Sequence, residues 1–166
     1  HGFNFNIEEI IKEDYISLRY QEKSSNNSSN EYRPINVGFG ITYILPVIVA
    51  LLKAKPGDLV VVENPECHLH PRAQRQIGEL LSIVANGGVQ IIVETHSDHI
   101  LNGIRISAKN GIINPSYTQI LFFSRECASG IFNTNVYAPN ILEDGSLDYW
   151  PEGFFDEWDN ALTELL

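Results

Sequence analysis

Two short stretches hold most of the side chains in this sequence that can do chemistry. One is Glu63-Asn64-Pro65-Glu66-Cys67-His68-Leu69-His70, the other Glu94-Thr95-His96-Ser97-Asp98-His99. Between them they carry the carboxylates Glu63, Glu66 and Glu94 and four of the five histidines. Each follows an apolar run, Leu59-Val60-Val61-Val62 or Val89-Gln90-Ile91-Ile92-Val93. A carboxylate at the end of a buried strand is costly unless a cation, a metal or hydrogen bonds compensate it. Glu63 therefore points to a hard-metal site of the Mg2+ kind, built from one or two carboxylates with water and substrate phosphates. Capping of the following helix is the structural alternative. His96, just past its strand, can reach a phosphate or a water from a neighbouring loop, or can sit in the core satisfied by backbone. His68-Leu69-His70 is an HxH pair of the kind metal-dependent hydrolases use for zinc, and His96 and His99 add a second pair. Pro71 opens a helix at once, however, which sets the first pair in a turn rather than on a strand. A third segment, Asn36-Val37-Gly38-Phe39-Gly40-Ile41-Thr42, precedes a helix. Gly38 and Gly40 let the backbone approach a ligand, and the Thr42 hydroxyl falls beside the positive helix end. Plain N-capping accounts for the same residues.

The elements that must position these loops are read from periodicity. Ile44, Val47, Ile48, Leu51 and Leu52 predict a helix over 42–54, with Pro46 in or near its first turn. Lys55-Pro56-Gly57-Asp58 is a turn. Leu59 to Val62 predicts a strand buried on both faces. Pro71 opens a helix whose buried stripe is Ile77, Leu80, Leu81 and Val84, ended at Asn86-Gly87-Gly88. Val89 to Val93 predicts a second strand, 98–109 a helix, 120–123 and 131–137 two further strands, and 154–166 a terminal amphipathic helix. Nearer the start, alternating Ile16, Leu18 and Tyr20 favour a strand near 15–21, and the polar run 24–30 reads as a flexible loop. This order predicts the α/β class, a mostly parallel sheet flanked by helices. In such sheets ligands sit beyond the carboxyl ends of the strands, where the two reactive stretches fall. The chain divides into a leading segment 1–33, a core 34–126 and an acidic, aromatic extension 127–166.

Composition narrows the function classes. At 166 residues the chain suits one domain-sized core, and no apolar run is long enough to span a membrane. Two cysteines are too few for a disulfide framework and suggest a reducing, cytoplasmic setting. Eleven Lys and Arg stand against 21 Asp and Glu, a net charge of −10. From Pro139 onward there are eight acids and no Lys or Arg, which argues against direct nucleic-acid binding. Tyr149, Trp150, Phe154, Phe155 and Trp158 in that extension either pack on the body or form a patch for a partner, so a non-catalytic interaction module is a second alternative. The chain has no methionine and opens on His1-Gly2, which suggests a piece of a longer protein.

Taken together, NVGFGITYILPVIVALLKAKPGDLVVVENPECHLHPRAQ and VETHSDHIL resemble the C-terminal half of an ABC/AAA-type P-loop ATPase head. The branch is that of ATPases related to RecF, SMC heads and overcoming-lysogenization-defect (OLD) proteins. The ending DGSLDYWPEGFFDEWDNALTELL resembles the C-terminal domain of unknown function that follows this core in one bacterial group. The resemblance spans about residues 34–166. It implies that Val60-Val61-Val62-Glu63 is the Walker B strand and Glu63 the Mg2+-associated acid. Asn64 stands where many heads carry the glutamate that polarises the attacking water. Asn64 cannot act as a general base, which makes Glu66 the candidate for that task. The resemblance sets His70 at the D-loop aspartate position and makes His96 the switch histidine. It makes Gly38, Gly40 and Thr42 the signature segment that contacts the nucleotide of the opposing subunit, with Thr42 where Ser is usual. It further implies ATP and Mg2+ as cofactors, a second head as homodimer partner, and an effector or nuclease subunit as another. The activity expected is an ATP-driven dimerising switch in DNA repair or defence. No GxxxxGK[ST] occurs in the 166 residues, so the phosphate-cradling loop is expected upstream, and this chain alone is expected neither to bind ATP tightly nor to hydrolyse it.

Overall fold

The computed structural model describes residues 2–10, 15–23, 30–33, 36, 38–128 and 131–166. The chain forms two units, His1–Val49 and Ala50–Leu166. In the first, β1 (Gly2–Ile10) pairs antiparallel with β2 (Tyr15–Lys23), from Gly2 opposite Lys23 to Ile10 opposite Tyr15. Tyr20 also exchanges two backbone hydrogen bonds with Tyr32, at 2.9 and 2.8 Å, so the chain returns to β2 after the polar run. The flexible loop expected over 24–30 lies outside the described residues except for Asn30.

Helix α1 (Phe39–Lys53) runs from the end of the first unit into the second. It begins three residues earlier than the periodicity predicts. Gly40 and Thr42 therefore lie inside its first turn, and Pro46 sits in its interior rather than near its start. The helix continues through Pro46 although the ring leaves no N–H to bond the Thr42 carbonyl.

In the second unit β3 (Leu59–Glu63) and β4 (Gln90–Glu94) pair in parallel, from Leu59 opposite Gln90 to Glu63 opposite Glu94. Val60, Val62, Ile91 and Val93 turn to the covered face. Leu59, Val61 and Ile92 turn to the other and stay 56%, 59% and 53% exposed. The burial expected on both faces is thus met on one within this unit.

Helices α2 (Pro71–Asn86) and α3 (Asp98–Lys109) pack against each other. Each is set by local signals. His70 and Ser97 are their N-caps, and Gly87 and Asn110 end them with backbone N–H groups on the last carbonyls. Gly78 and Gly103 lie at the crossing, where a methyl on Gly78 would strike the Ile100 carbonyl and one on Gly103 the Arg75 carbonyl. One turn further on, buried Ser82 and Ser107 donate back to the Gly78 and Gly103 carbonyls, each at 2.9 Å, so neither hydroxyl is orphaned. Ile77, Leu81, Ile100 and Leu101 complete this part of the core.

Strand β5 (Phe122–Ala128) and β6 (Ile131–Tyr137) form an antiparallel pair starting at Phe122 opposite Tyr137. A two-residue connection can only join antiparallel strands, so the α/β class stands with its parallel pairing at β3–β4 among the described residues. Beyond them Phe154 is buried among rings, with centroids 5.1 Å from Phe122, 5.4 Å from Trp150 and 4.7 Å from Phe155. Those aromatics pack together, while Trp158 stays 73% exposed. The last helix, α4 (Glu157–Leu165), starts later than the pattern predicts because Gly153 and Phe155 take φ of 78° and 53°, which a right-handed helix cannot contain.

Candidate functional site

The site is built where β3 and β4 end. Register sets Glu63 and Glu94 side by side, both on the open face of the pair. Among the described residues the Glu63 carboxylate has no hydrogen bond or ion pair. It does not cap α2, since His70 does so, its Nδ1 accepting the Arg72 N–H at 3.3 Å. Asn64 continues the ladder for one residue by donating its N–H to the Glu94 carbonyl at 3.0 Å. It does so at a φ of 48°, a region Asn tolerates better than most residues. Its side-chain amide donates to Glu94 Oε2. Two tight turns follow, closed by the Cys67 N–H on the Asn64 carbonyl at 3.1 Å and the Leu69 N–H on the Glu66 carbonyl at 3.0 Å.

Glu66 ties this loop to the next one. Its Oε2 accepts the Thr95 hydroxyl and its Oε1 the His96 N–H, both at 2.7 Å. Thr95 Oγ1 in turn accepts the Ser97 N–H at 3.1 Å. Ser97 Oγ accepts the Ile100 N–H at 3.3 Å and donates to Gln74 Oε1 at 2.6 Å. Gln74 closes the circuit by donating to the Leu69 carbonyl at 2.8 Å. The backbone of the second loop is thereby fixed, while the His96 ring projects outward. The ring is 82% exposed, and its Nε2 lies 3.2 Å from Glu94 Oε1.

Of the residues singled out in the sequence, Glu63, Asn64, Glu66 and His96 come together here, and His70 stands at the loop's exit. Gly38, Gly40 and Thr42 belong to the first unit. Gly38 has open space where a side chain would be, and the Thr42 hydroxyl is buried with no hydrogen-bond partner among the described residues. Reading the sequence missed Gln74 and Ser97, and it left Glu94 without a role. Glu94 carried a usable signal, since it ends its strand just as Glu63 does. Gln74 carried none.

The donor chemistry fits Mg2+. Two neighbouring carboxylates, one of them unengaged, meet what that ion needs beside water and phosphate oxygens. It does not fit zinc: among the described residues no group of three or more His, Cys, Asp or Glu could hold a metal ion. The HxH pair is divided between His70, which caps a helix, and His68, held at a φ of 61°.

Comparison with known proteins places the chain among families. Residues 4–102 match the family described as "AAA domain, putative AbiEii toxin, Type IV TA system". Residues 113–165 match the one described as "Protein of unknown function (DUF3696)". The first match begins well before residue 34, where the motif resemblance starts. The chain is 26% identical to endonuclease GajA of Bacillus cereus (strain HuB5-5) over 64% of its own length and 18% of that protein's, so it spans under a fifth of that relative. A solved structure from work on ATP-driven dimerization and DNA stimulated activation of SMC ATPases superposes with a TM-score of 0.54. The identity is 14%, over 82% of this chain and 73% of that one, a likeness of fold.

Proposed function

The chain belongs to the AAA domain family that its residues 4–102 match, a P-loop ATPase lineage, with a DUF3696 domain behind it, and from that premise we propose that its two strand-end loops form the acid-and-histidine side of an ATP site. The observation that carries this reading is the in-register pair Glu63 and Glu94 beside the exposed His96 ring.

In this reading Glu63, with Glu94 next to it, holds Mg2+, which when bound neutralises charge on the phosphates. His96 extends from a fixed backbone toward the terminal phosphate. Asn64 cannot take a proton, and its amide steadies Glu94. Both oxygens of Glu66 already accept hydrogen bonds, so Glu66 serves better as a positioning residue than as the water-polarising base. Glu94, half-exposed, is the second acid beside Glu63, its Oε2 held by the Asn64 amide and its Oε1 facing the His96 ring.

Gly38, Gly40 and Thr42, with His70, contact a second head across the nucleotide, and ATP closes that homodimer as a switch. The work on ATP-driven dimerization of SMC ATPases supports the switch, and the endonuclease relative supports an effector of nuclease class and a role in defence. The site of action in this reading is the cytoplasm; among the described residues no helix is long and apolar enough to cross a membrane. The core over 34–126 carries the chemistry and the extension over 127–166 its attachments.

The test is ATP turnover by the protein that carries these residues. Glu63→Gln should lower kcat by about 100-fold or more, the scale of losing one electrostatic stabiliser. Its thermal unfolding should not fall, because the carboxylate has no favourable partner among the described residues and lies beside Glu94. Turnover within a factor of about two of wild type, on that same scale, would remove Glu63 from the site.

A further inference from the structure

A cavity of about 620 Å³ lies along the α2–α3 pair, within the size range of small-molecule sites. Its lining includes Arg72, Arg75, Arg105, Lys109 and His99, with Asp144 as its one carboxylate. Four of the chain's eleven Lys and Arg residues therefore face one hollow in a protein of net charge −10. We propose that this cavity is a binding site for a small phosphate-bearing polyanion, separate from the strand-end loops.

Three observations support it. The first is a breach of the rule for helix ends. Arg72 stands in the first turn of α2 and Arg75 one turn on, with no acidic residue in that first turn. A helix N-terminus favours negative charge, so cations there oppose the dipole and cost stability unless an anion joins them. Breaches of local rules of this kind concentrate at functional sites. The second is readiness. Arg105 is pinned by its Nε on the Gly145 carbonyl at 2.7 Å, by a guanidinium N–H on Asn102 Oδ1 at 3.0 Å, and by Trp150, whose ring centre lies 5.5 Å away. Gly145, at a φ of 79°, packs so tightly that a methyl there would come within 2.6 Å of the Arg105 carbonyl. The acidic segment thus builds one wall of the cavity, and Asp144 Oδ1 is engaged by the Ser146 N–H and hydroxyl at 2.9 and 2.6 Å. The third is spare donors. Among the described residues the Arg72 and Lys109 heads have no ion pair, while Arg75 is paired with Glu79.

Planar guanidinium forks match phosphate oxygens two at a time. Besides Arg75, which Glu79 already pairs, three cations against the one carboxylate of Asp144 suit a di- or triphosphate better than a single carboxylate ligand. The surrounding acids disfavour a long nucleic-acid backbone, whose binding needs an extended basic surface.

The experiment is calorimetric titration of the full chain with inorganic tripolyphosphate in the absence of divalent metal. Saturable binding near one equivalent is expected. The double variant Arg72→Gln/Lys109→Gln, which removes two exposed heads that have no ion pair among the described residues, should bind about tenfold or more weakly. Lys53→Gln/Lys55→Gln, which removes the same charge elsewhere, and Glu63→Gln should bind as wild type does. Four results would overturn the proposal. They are no saturable binding, equal weakening in the Lys53/Lys55 pair, loss in Glu63→Gln, or tighter binding of a DNA duplex that disappears in the Arg72/Lys109 variant.

Discussion

Glu66 shows how one side chain can tie two loops together. It reaches across to residues 29 and 30 positions away, Thr95 and His96, and both of its oxygens are consumed there. Removing it strands a half-buried hydroxyl and a backbone N–H, a loss of about 1–3 kcal/mol. Glu66→Ala should therefore lower unfolding stability by about that amount in urea titrations, whereas Glu66→Gln, which keeps an acceptor for the His96 N–H, should lose less than half as much. Equal stability of wild type and Glu66→Ala would show that the two loops are not tied. At this scale the nearness of Glu63, Asn64, Glu66 and His96 was legible, since all four lie at or just past a strand end. Gln74 and Ser97 were not legible, because a polar side chain's partner across 23 residues leaves no mark on local spacing.

The helices α2 and α3 place those loops, and their seam decides how firmly. Replacing glycine by alanine inside a helix ordinarily stabilises it by about 1 kcal/mol. At Gly103 the added methyl would overlap the Arg75 carbonyl, which belongs to a backbone that cannot step aside. Overpacking of this kind costs about 1–3 kcal/mol, and here it comes with separation of the Ile100 and Ser107 layers. Gly103→Ala should thus be destabilising on balance, read as a lower midpoint in thermal unfolding. A higher midpoint would mean that the helices stand further apart. The bounds of α2 and α3 were legible because caps and apolar stripes agree. Those of α1 and β5 were not: apolar spacing does not mark that α1 begins at Phe39 and continues through Pro46, and the apolar run at 120–123 cannot show that pairing with β6 starts at Phe122 and extends to Ala128.

Over the whole molecule the charge is unevenly spread, and the acidic end is organised rather than loose. The Ser146 hydroxyl and N–H hold the Asp144 carboxyl below its ordinary range, and the Asn140 amide and N–H do the same for Asp148. A carboxyl depressed in the fold stabilises it above its unfolded pKa and loses that contribution as pH falls through the folded value. The 140–148 turn should accordingly loosen below about pH 4, and Asn140→Ala should bring the Asp148 titration back up, followed by carbon-detected NMR. An unmoved Asp148 would show that Asn140 is not its partner in solution. The α/β class was legible at this scale from the order of elements, but the open side of β3–β4 was not, because an unbroken apolar run looks the same whether one face or both are covered.

That open side also bears on how the molecule stays dispersed. Leu59, Val61 and Ile92 make a short apolar strip on two strands of five residues each, the kind of surface on which a second copy could stack. Glu63 and Glu94 close one end of it with adjacent negative charges, which act as gatekeepers against such stacking. A cation held between them would cancel that repulsion as it bound, so filling such a site would also raise the tendency to self-associate.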